Sequence, residues 1–413
     1  RNLAVPRSKL DGMLRYSSRC VMRRAFAAVL LCLIAVPIGS FTVQGSDLSA
    51  SNKEIDAILS AATKPDEPGL AAIVKKDGHV IFEQGYGVRE LGTTEKIDAQ
   101  TNFRLASVTK EFTAMAIMLL VKDGKVRYDQ RLTEIFPEFP AYGKNITVRN
   151  LLTHTGGLPD YEELMDREEK TNGPRWSADH QIQDREVLAL LEKQTEGKFA
   201  PGTSWTYSNS GYVVLGLIVA KTSGMPYRDF LQKRIFDPAG MEHSVVYQKG
   251  KNQISQRANG NSKDGGKLVE TDQSSTSATL GDGGVYSNLS DMAKWDEALQ
   301  KHTLLSAEEM APALTPAKLA DGSETHWPRK PDDNNLAPGK PVSYGFGWFL
   351  DPLNGHPRMW HAGGTMGFRT VIERFTKDGL TIVILSNRAD VNPGELSEKI
   401  AGLILTTTSR SAL

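Results

Sequence analysis

The sequence predicts a mixed α/β fold of the α+β kind, with one antiparallel sheet flanked by helices and an all-helical lobe inserted into it. Three observations predict it. Strand-like runs stand near the start, Leu70 to Lys75 and Val80 to Tyr86, around the turn Lys76-Asp77-Gly78. Helical periodicity dominates from Ser107 to about Asp237. Strand-like runs then return at Tyr344 to Leu350, Phe368 to Phe375 and Leu380 to Leu385. Strands at both ends with helices between them imply one sheet completed by both ends, the helical part, about 107–280, being an insertion.

The elements follow in order. Arg23-Arg24 and the apolar run Ala25 to Val36, with small residues near Val43-Gln44-Gly45, read as a secretory signal over residues 1–45. About a dozen apolar residues is short for a bilayer span, so no stable membrane anchor is expected and the protein is expected to be periplasmic or secreted. The chain begins with Arg, so Met13 or Met22 is expected as the start and the residues before it as a spurious extension. Both cysteines, Cys20 and Cys32, fall in this removable segment, leaving residues 46–413 as one large two-lobed domain without a disulfide or thiol nucleophile. A helix is expected over Ser51 to Ala62. Further helices are expected from Thr109 to about Lys122, Arg185 to Lys193, Gly211 to Thr222, Tyr227 to Phe236 after Pro226, and Glu395 to Leu405. Three polar stretches read as long loops: Asp160 to Asp184, Lys249 to Thr279 and Pro316 to Pro341.

Charge excludes some partners. Residues 1–45 hold seven Arg or Lys and one Asp, leaving 42 basic against 48 acidic side chains in the rest. A mildly acidic chain lacks the clustered basic surface that nucleic acid requires, so no nucleic-acid partner is expected. Oligomeric state is not legible, because no interface pattern or heptad run stands out.

The chemistry begins at Ser107-Val108-Thr109-Lys110. A Ser-x-x-Lys at a helix start puts a hydroxyl and an amine one turn apart on one face, beside free backbone N–H groups. The same string also fits a helix cap followed by a solvated lysine. Two more polar segments line up behind it: Tyr207-Ser208-Asn209 before the Gly211 helix, and Trp360-His361-Ala362-Gly363-Gly364 between strand-like stretches.

Ser-x-x-Lys, Tyr-x-Asn and a basic residue-x-Gly, in that order, resemble the serine β-lactamase and penicillin-binding protein superfamily, and most of all its class C β-lactamase-like branch. Leu151-Leu152-Thr153-His154-Thr155-Gly156-Gly157-Leu158, Pro201-Gly202 and Gly281-Asp282-Gly283-Gly284-Val285-Tyr286-Ser287 resemble that branch too, so the likeness spans about residues 69 to 390. It implies a β-lactamase/transpeptidase-like fold with the active site between an α/β lobe and a helical lobe. The implied reaction is acyl transfer through Ser107, with no cofactor and no metal.

An unassisted serine is a weak nucleophile, so Lys110 or Tyr207 must take its proton, and the sequence leaves open which. Burial would lower the lysine pKa, and a nearby cation would favour tyrosinate at Tyr207. Asn209 suits either a hold on Lys110 or a substrate carbonyl, or the cap of the following helix. The resemblance points to the backbone N–H groups of Ser107 and Gly364 as oxyanion donors. Gly363 and Gly364 lack side chains and admit a substrate close to the strand.

His361 departs from the pattern. The superfamily usually has Lys there, a permanent cation facing a substrate carboxylate, whereas His is only partly charged near neutral pH. The change shifts the expectation from β-lactams towards esters or amides, as in esterases and D-residue peptidases of the family. A β-lactamase or D-alanyl-D-alanine carboxypeptidase and a non-catalytic binding module are the alternatives. His154 is not assigned to a triad, since no Gly-x-Ser-x-Gly elbow exists. No His-x-His or His-Glu-x-x-His string points to zinc.

Overall fold

A computed structural model describes residues 44–329 and 337–411, and Gly45–Leu413 form one compact unit. The expected signal segment, as far as residue 43, lies outside the described residues, as do Cys20 and Cys32.

The sheet has five antiparallel strands: β1 (Leu70–Lys76), β2 (His79–Tyr86), β3 (Met359–Thr365), β4 (Phe368–Phe375) and β5 (Leu380–Ser386). Their spatial order is β3-β4-β5-β1-β2. The two ends of the chain meet at β1 and β5, where Leu70 pairs with Ser386 and Lys76 with Leu380. β1 and β5 are almost wholly buried because helices cover both faces of the sheet, which explains their continuous apolar runs, Leu-Ala-Ala-Ile-Val and Ile-Val-Ile-Leu.

One face of the sheet packs on α1 (Gln44–Ser60) and on the C-terminal helix, through Ile55, Leu59, Val371, Ile384 and Ile400. The other face meets the larger core. That core includes α2 (Thr109–Lys122), α3 (Tyr161–Asn172), α4 (Asp184–Glu192), α5 (Asn209–Ser223) and α6 (Leu289–Gln300). The last helix, α7, spans Pro393–Ser411. Every residue of α2 from Thr109 to Leu120 is buried, so this helix is the axis of the helical part.

α6 is pinned to the sheet by a buried ion cluster. Asp296 accepts from Lys75 Nζ at 2.6 Å, from Arg374 Nε at 2.8 Å and from Thr381 Oγ1 at 2.8 Å. Burial alone would raise the Asp296 pKa, but Arg374 and Lys75 outweigh it and hold the carboxyl below its ordinary value.

Several expectations need correction. Tyr344 to Leu350 is no strand of the sheet. Its alternating Tyr344, Phe346 and Trp348 are all buried, but the chain turns tightly, with Gly345 N donating to Trp348 O at 2.8 Å. The glycines are the cause: a Cβ on Gly345 would lie 1.8 Å from Ala313 O, and one on Gly347 would lie 2.8 Å from Lys110 O. The strand of this region is β3, which carries the His361 segment itself. About half of the stretch from Asp160 to Asp184 is helix, not loop: α3 fills Tyr161–Asn172, and Asp160 caps it by accepting from Glu162 N and Glu163 N. Lys249 to Thr279 contains a hairpin, Asn261–Asp264 with Lys267–Glu270. Among the described residues no helix is long and apolar enough to cross a membrane.

Candidate active site

Ser107 sits in a 3-10 turn, Ala106–Val108, that leads into α2. Ala106 has φ 49°, a left-handed conformation that costs a non-glycine residue about 1 kcal/mol. Its neighbour is clamped on both sides: Leu105 N donates to Val285 O at 2.9 Å, and Leu105 O accepts from Thr370 Oγ1 of β4 at 2.8 Å. The same contact explains Gly363 on β3. A Cβ there would lie 2.1 Å from Leu105 O and 2.3 Å from Thr370 Oγ1, so only glycine lets the edge strand close on the serine turn.

Lys110, fully buried, points back at Ser107, with Nζ 3.2 Å from Oγ. Its other neighbours are two acceptors, Asn209 Oδ1 at 2.9 Å and the Asp282 carbonyl at 3.0 Å. A neutral amine has two N–H bonds and one lone pair. With both hydrogens taken by Asn209 and Asp282, the lone pair is left for the serine proton. Burial lowers the Lys110 pKa to about 8, against the opposing pull of the Asp282 and Glu162 carboxylates.

Tyr207 lies across the amine, with Lys110 Nζ 4.8 Å from its ring centroid. Its hydroxyl is buried and makes no well-aligned hydrogen bond. Burial pushes the phenol pKa upward, more than the neighbouring Ser107 hydroxyl draws it down. The Tyr207 loop is held by His154, whose Nδ1 accepts from Ser208 N at 3.1 Å and whose carbonyl accepts from Thr206 N at 3.1 Å. The His154 ring packs 4.5 Å from those of Tyr207 and Tyr344. Burial, then the charge of Lys110, keeps this imidazole neutral, with its pKa well below the usual value. Asn209 does not cap α5: Ser208 does, accepting from Gly211 N at 3.0 Å, and this frees the Asn209 amide for Lys110.

His361 on β3 is buried as well. Its Nδ1 lies 2.7 Å from Ala362 O and its Nε2 3.1 Å from Tyr344 Oη; with Nδ1 protonated, the tyrosine donates to Nε2. Burial, followed by the Lys110 charge, lowers its pKa to about 3, so the ring is neutral at pH 7 rather than partly charged. Gly364, three residues further along the strand, is exposed.

These groups share one cleft of about 750 Å³. Ser107, Tyr207, His361, Gly363 and Gly364 line it, while Lys110 and Asn209 stand behind Ser107. The structure thus brings all seven residues singled out by sequence together. Sequence reasoning missed the parts that hold them: His154, Asp282, Thr370 and the Tyr344 turn. His154 and Asp282 lie inside motifs already noticed, but only their contacts show what they do. Glu162 and Arg369 in the cleft wall were also missed, and neither carried a sequence signal. Glu162 is exposed to the cleft yet enclosed by protein, and burial, then Asp160 and Asp282, raises its pKa to about 7.

A serine, a lysine amine and a phenol meeting beside a glycine-bearing strand edge are the arrangement of a serine hydrolase. Residues 55–405 match the Beta-lactamase family, and the chain belongs to it, within the serine β-lactamase and penicillin-binding protein superfamily. It is 32% identical over 353 residues to penicillin-binding protein 4* of Bacillus subtilis, covering 82% of this chain and 72% of that protein. It is 25% identical to a D-aminopeptidase of Cereibacter sphaeroides over 83% of this chain, but the match spans only 60% of that longer protein. Among solved structures, the D-amino acid amidase of Ochrobactrum anthropi superposes with TM-score 0.68 at 25% identity, covering 87% of this chain and 99% of that one. The protein is a hydrolase of this family.

Proposed function

We propose that the protein hydrolyses carboxylic esters or amides through an acyl-enzyme on Ser107. Ser107 Oγ attacks the carbonyl carbon as its proton passes to Lys110 Nζ. The resulting oxyanion is held by the backbone N–H groups of Ser107 and Gly364. The carbon–leaving-group bond then breaks, with Tyr207 relaying the proton from Lys110 to the departing oxygen or nitrogen. Water repeats the sequence against the ester and frees the acid. The single observation that carries this reading is Lys110 Nζ, 3.2 Å from Ser107 Oγ, with a pKa lowered to about 8.

Lys110 is the better base of the two candidates, because burial drives its equilibrium towards the proton-accepting form and drives Tyr207 away from it. Asn209 orients Lys110. Gly363 brings the strand to the serine turn, and neutral His361 leaves its end of the cleft without a cation. Esters and amides that need no charged partner at His361 therefore fit best. D-amino acid amides and D-residue peptides are a second reading, favoured by the likeness to the D-aminopeptidase and the D-amino acid amidase and by Glu162, an acidic group in the cleft that can face an ammonium. We also propose export by the segment before residue 46, supported by the Arg23-Arg24 pair ahead of the apolar run Ala25 to Val36.

Hydrolysis of p-nitrophenyl butyrate and of D-alanine p-nitroanilide by wild type and Ser107→Ala tests the reaction. Turnover of at least one, lost in the variant by about a thousandfold or more, is expected. Equal rates in both proteins would end the proposal.

A further inference from the structure

The cleft contains a cation that the proposed reaction leaves idle. Arg369, at the start of β4, faces Gly364 across the β3–β4 register and lines the cleft half-buried. One of its nitrogens, Nη1, donates to Thr365 O and Phe368 O, both at 2.7 Å. Among the described residues no carboxylate pairs with it. Arg358, Arg374 and Arg388 of the same region each hold one: Glu373 at 2.9 Å, Asp296 at 2.8 Å and Asp390 at 2.7 Å. Withdrawing a guanidinium from water without a counter-charge is costly, and an anionic ligand recovers that cost through charge-assisted hydrogen bonds. The space beside it is open. A Cβ on Gly364 would meet nothing nearer than Arg369 Cδ and Nη1, both at 3.7 Å.

Position decides which half of a substrate it meets. Tyr207 and His361 lie together, with ring centroids 6.2 Å apart. Beyond them the cleft wall is aromatic, with Phe349 stacked between Trp327 and Trp360. Gly364 is three residues further along β3, about 10 Å at strand rise. A leaving group protonated by Tyr207 departs towards the aromatic end, which leaves the acyl chain the free edge of β3; a chain long enough to pass Gly364 reaches the Thr365–Phe368 turn, where Arg369 is tied at the rim of the cleft.

We infer that Arg369 determines specificity for the acyl half, and that the cleft takes esters or amides of an acid bearing a second, anionic group such as a distal carboxylate. The inference rests on the Ser107 reading above. It moves charge recognition from the strand position of His361 to the opposite end of the cleft.

The test compares mono-p-nitrophenyl adipate with its neutral methyl ester, methyl p-nitrophenyl adipate. In wild type, kcat/KM for the anion is expected to be about tenfold or more above that for the neutral ester. Arg369→Gln should bring the ratio close to one, and Arg369→Lys should keep part of it. Because Arg369 also ties the Thr365–Phe368 turn, a measurement on wild type alone accompanies the variants: the ratio should fall several-fold as salt rises from about 0.05 to 0.5 M. A wild-type ratio near one, or a ratio that neither salt nor Arg369→Gln changes, overturns the inference while Ser107-dependent hydrolysis stands. Hydrolysis of both esters undiminished in Ser107→Ala instead overturns the reaction on which it rests.

Discussion

Replacing Asp282 by asparagine removes a charge beside Lys110 without touching the bond between them, because Lys110 Nζ is held by the Asp282 main-chain carbonyl at 3.0 Å. The amide oxygen of the substituted side chain can still accept from Tyr161 Oη, which lies 3.3 Å from Asp282 Oδ2. With a pKa of about 8, roughly a tenth of Lys110 is neutral at pH 7, against about 0.03% for an amine at its ordinary value. Burial therefore raises the population of competent base about 300-fold, worth about 3 kcal/mol. If kcat/KM follows that population, it climbs about tenfold per pH unit below about pH 8 and levels above it. The Asp282 carboxylate favours the charged amine, so Asp282→Asn moves this limb to lower pH. At pH 7 the gain is bounded at about tenfold, the point at which all of Lys110 is neutral. Initial rates on p-nitrophenyl butyrate from about pH 5.5 to 9.5, corrected with Ser107→Ala, give the profile. A wild-type profile flat across pH 6 to 8, or a limb that Asp282→Asn leaves in place or moves upward, would refute the assignment of Lys110 as base.

Gly363→Ala should lower both thermal stability and kcat, because its Cβ would lie 2.1 Å from Leu105 O and must push the serine turn off β3; calorimetry and ester turnover read the two effects. Asp296→Ala should cost about 3–5 kcal/mol in denaturant unfolding, since it strands Lys75 and Arg374 in the interior. The folded-state pKa of Asp296 lies below its ordinary 3.8, so its contribution is present above that pH and is lost as pH falls through the folded value. Acid unfolding of wild type should accordingly show a loss below about pH 4 that Asp296→Ala lacks. His154→Phe keeps the ring stack but leaves the Ser208 N–H without its acceptor, at about 1–3 kcal/mol; kcat should fall more than KM rises. His361→Lys should raise nitrocefin turnover if the cation at that position is what β-lactams lack here, and an unchanged rate would place the barrier elsewhere.

The chemistry-bearing residues were legible because motif order is a sequence property. Ser107, Lys110, Tyr207, Asn209, His361, Gly363 and Gly364 all converge, and the strands that close the sheet stood out as apolar runs. What failed did so for identifiable reasons. The aromatic alternation of Tyr344 to Leu350 mimicked a strand, but it arises from three rings packing inward around two glycines pressed against neighbouring backbone. The α3 region looked like loop because its buried residues, Tyr161, Leu164 and Met165, are few among many charges. The role of Asn209 stayed open between a hold on Lys110 and the cap of α5, since Ser208 and Asn209 are both good capping residues and only the contact with Lys110 decides between them. The charge state of His361 depends on burial, which residue type alone does not carry.

The most direct test of the account is the mass of the intact protein, quenched in acid within a second of mixing with an excess of p-nitrophenyl butyrate and then mapped by peptides. One added butyryl group is expected, on the peptide holding Ser107, absent from Ser107→Ala and accumulating more slowly below pH 7. Turnover with Ser107 unmodified, or a butyryl group on another side chain, would contradict it.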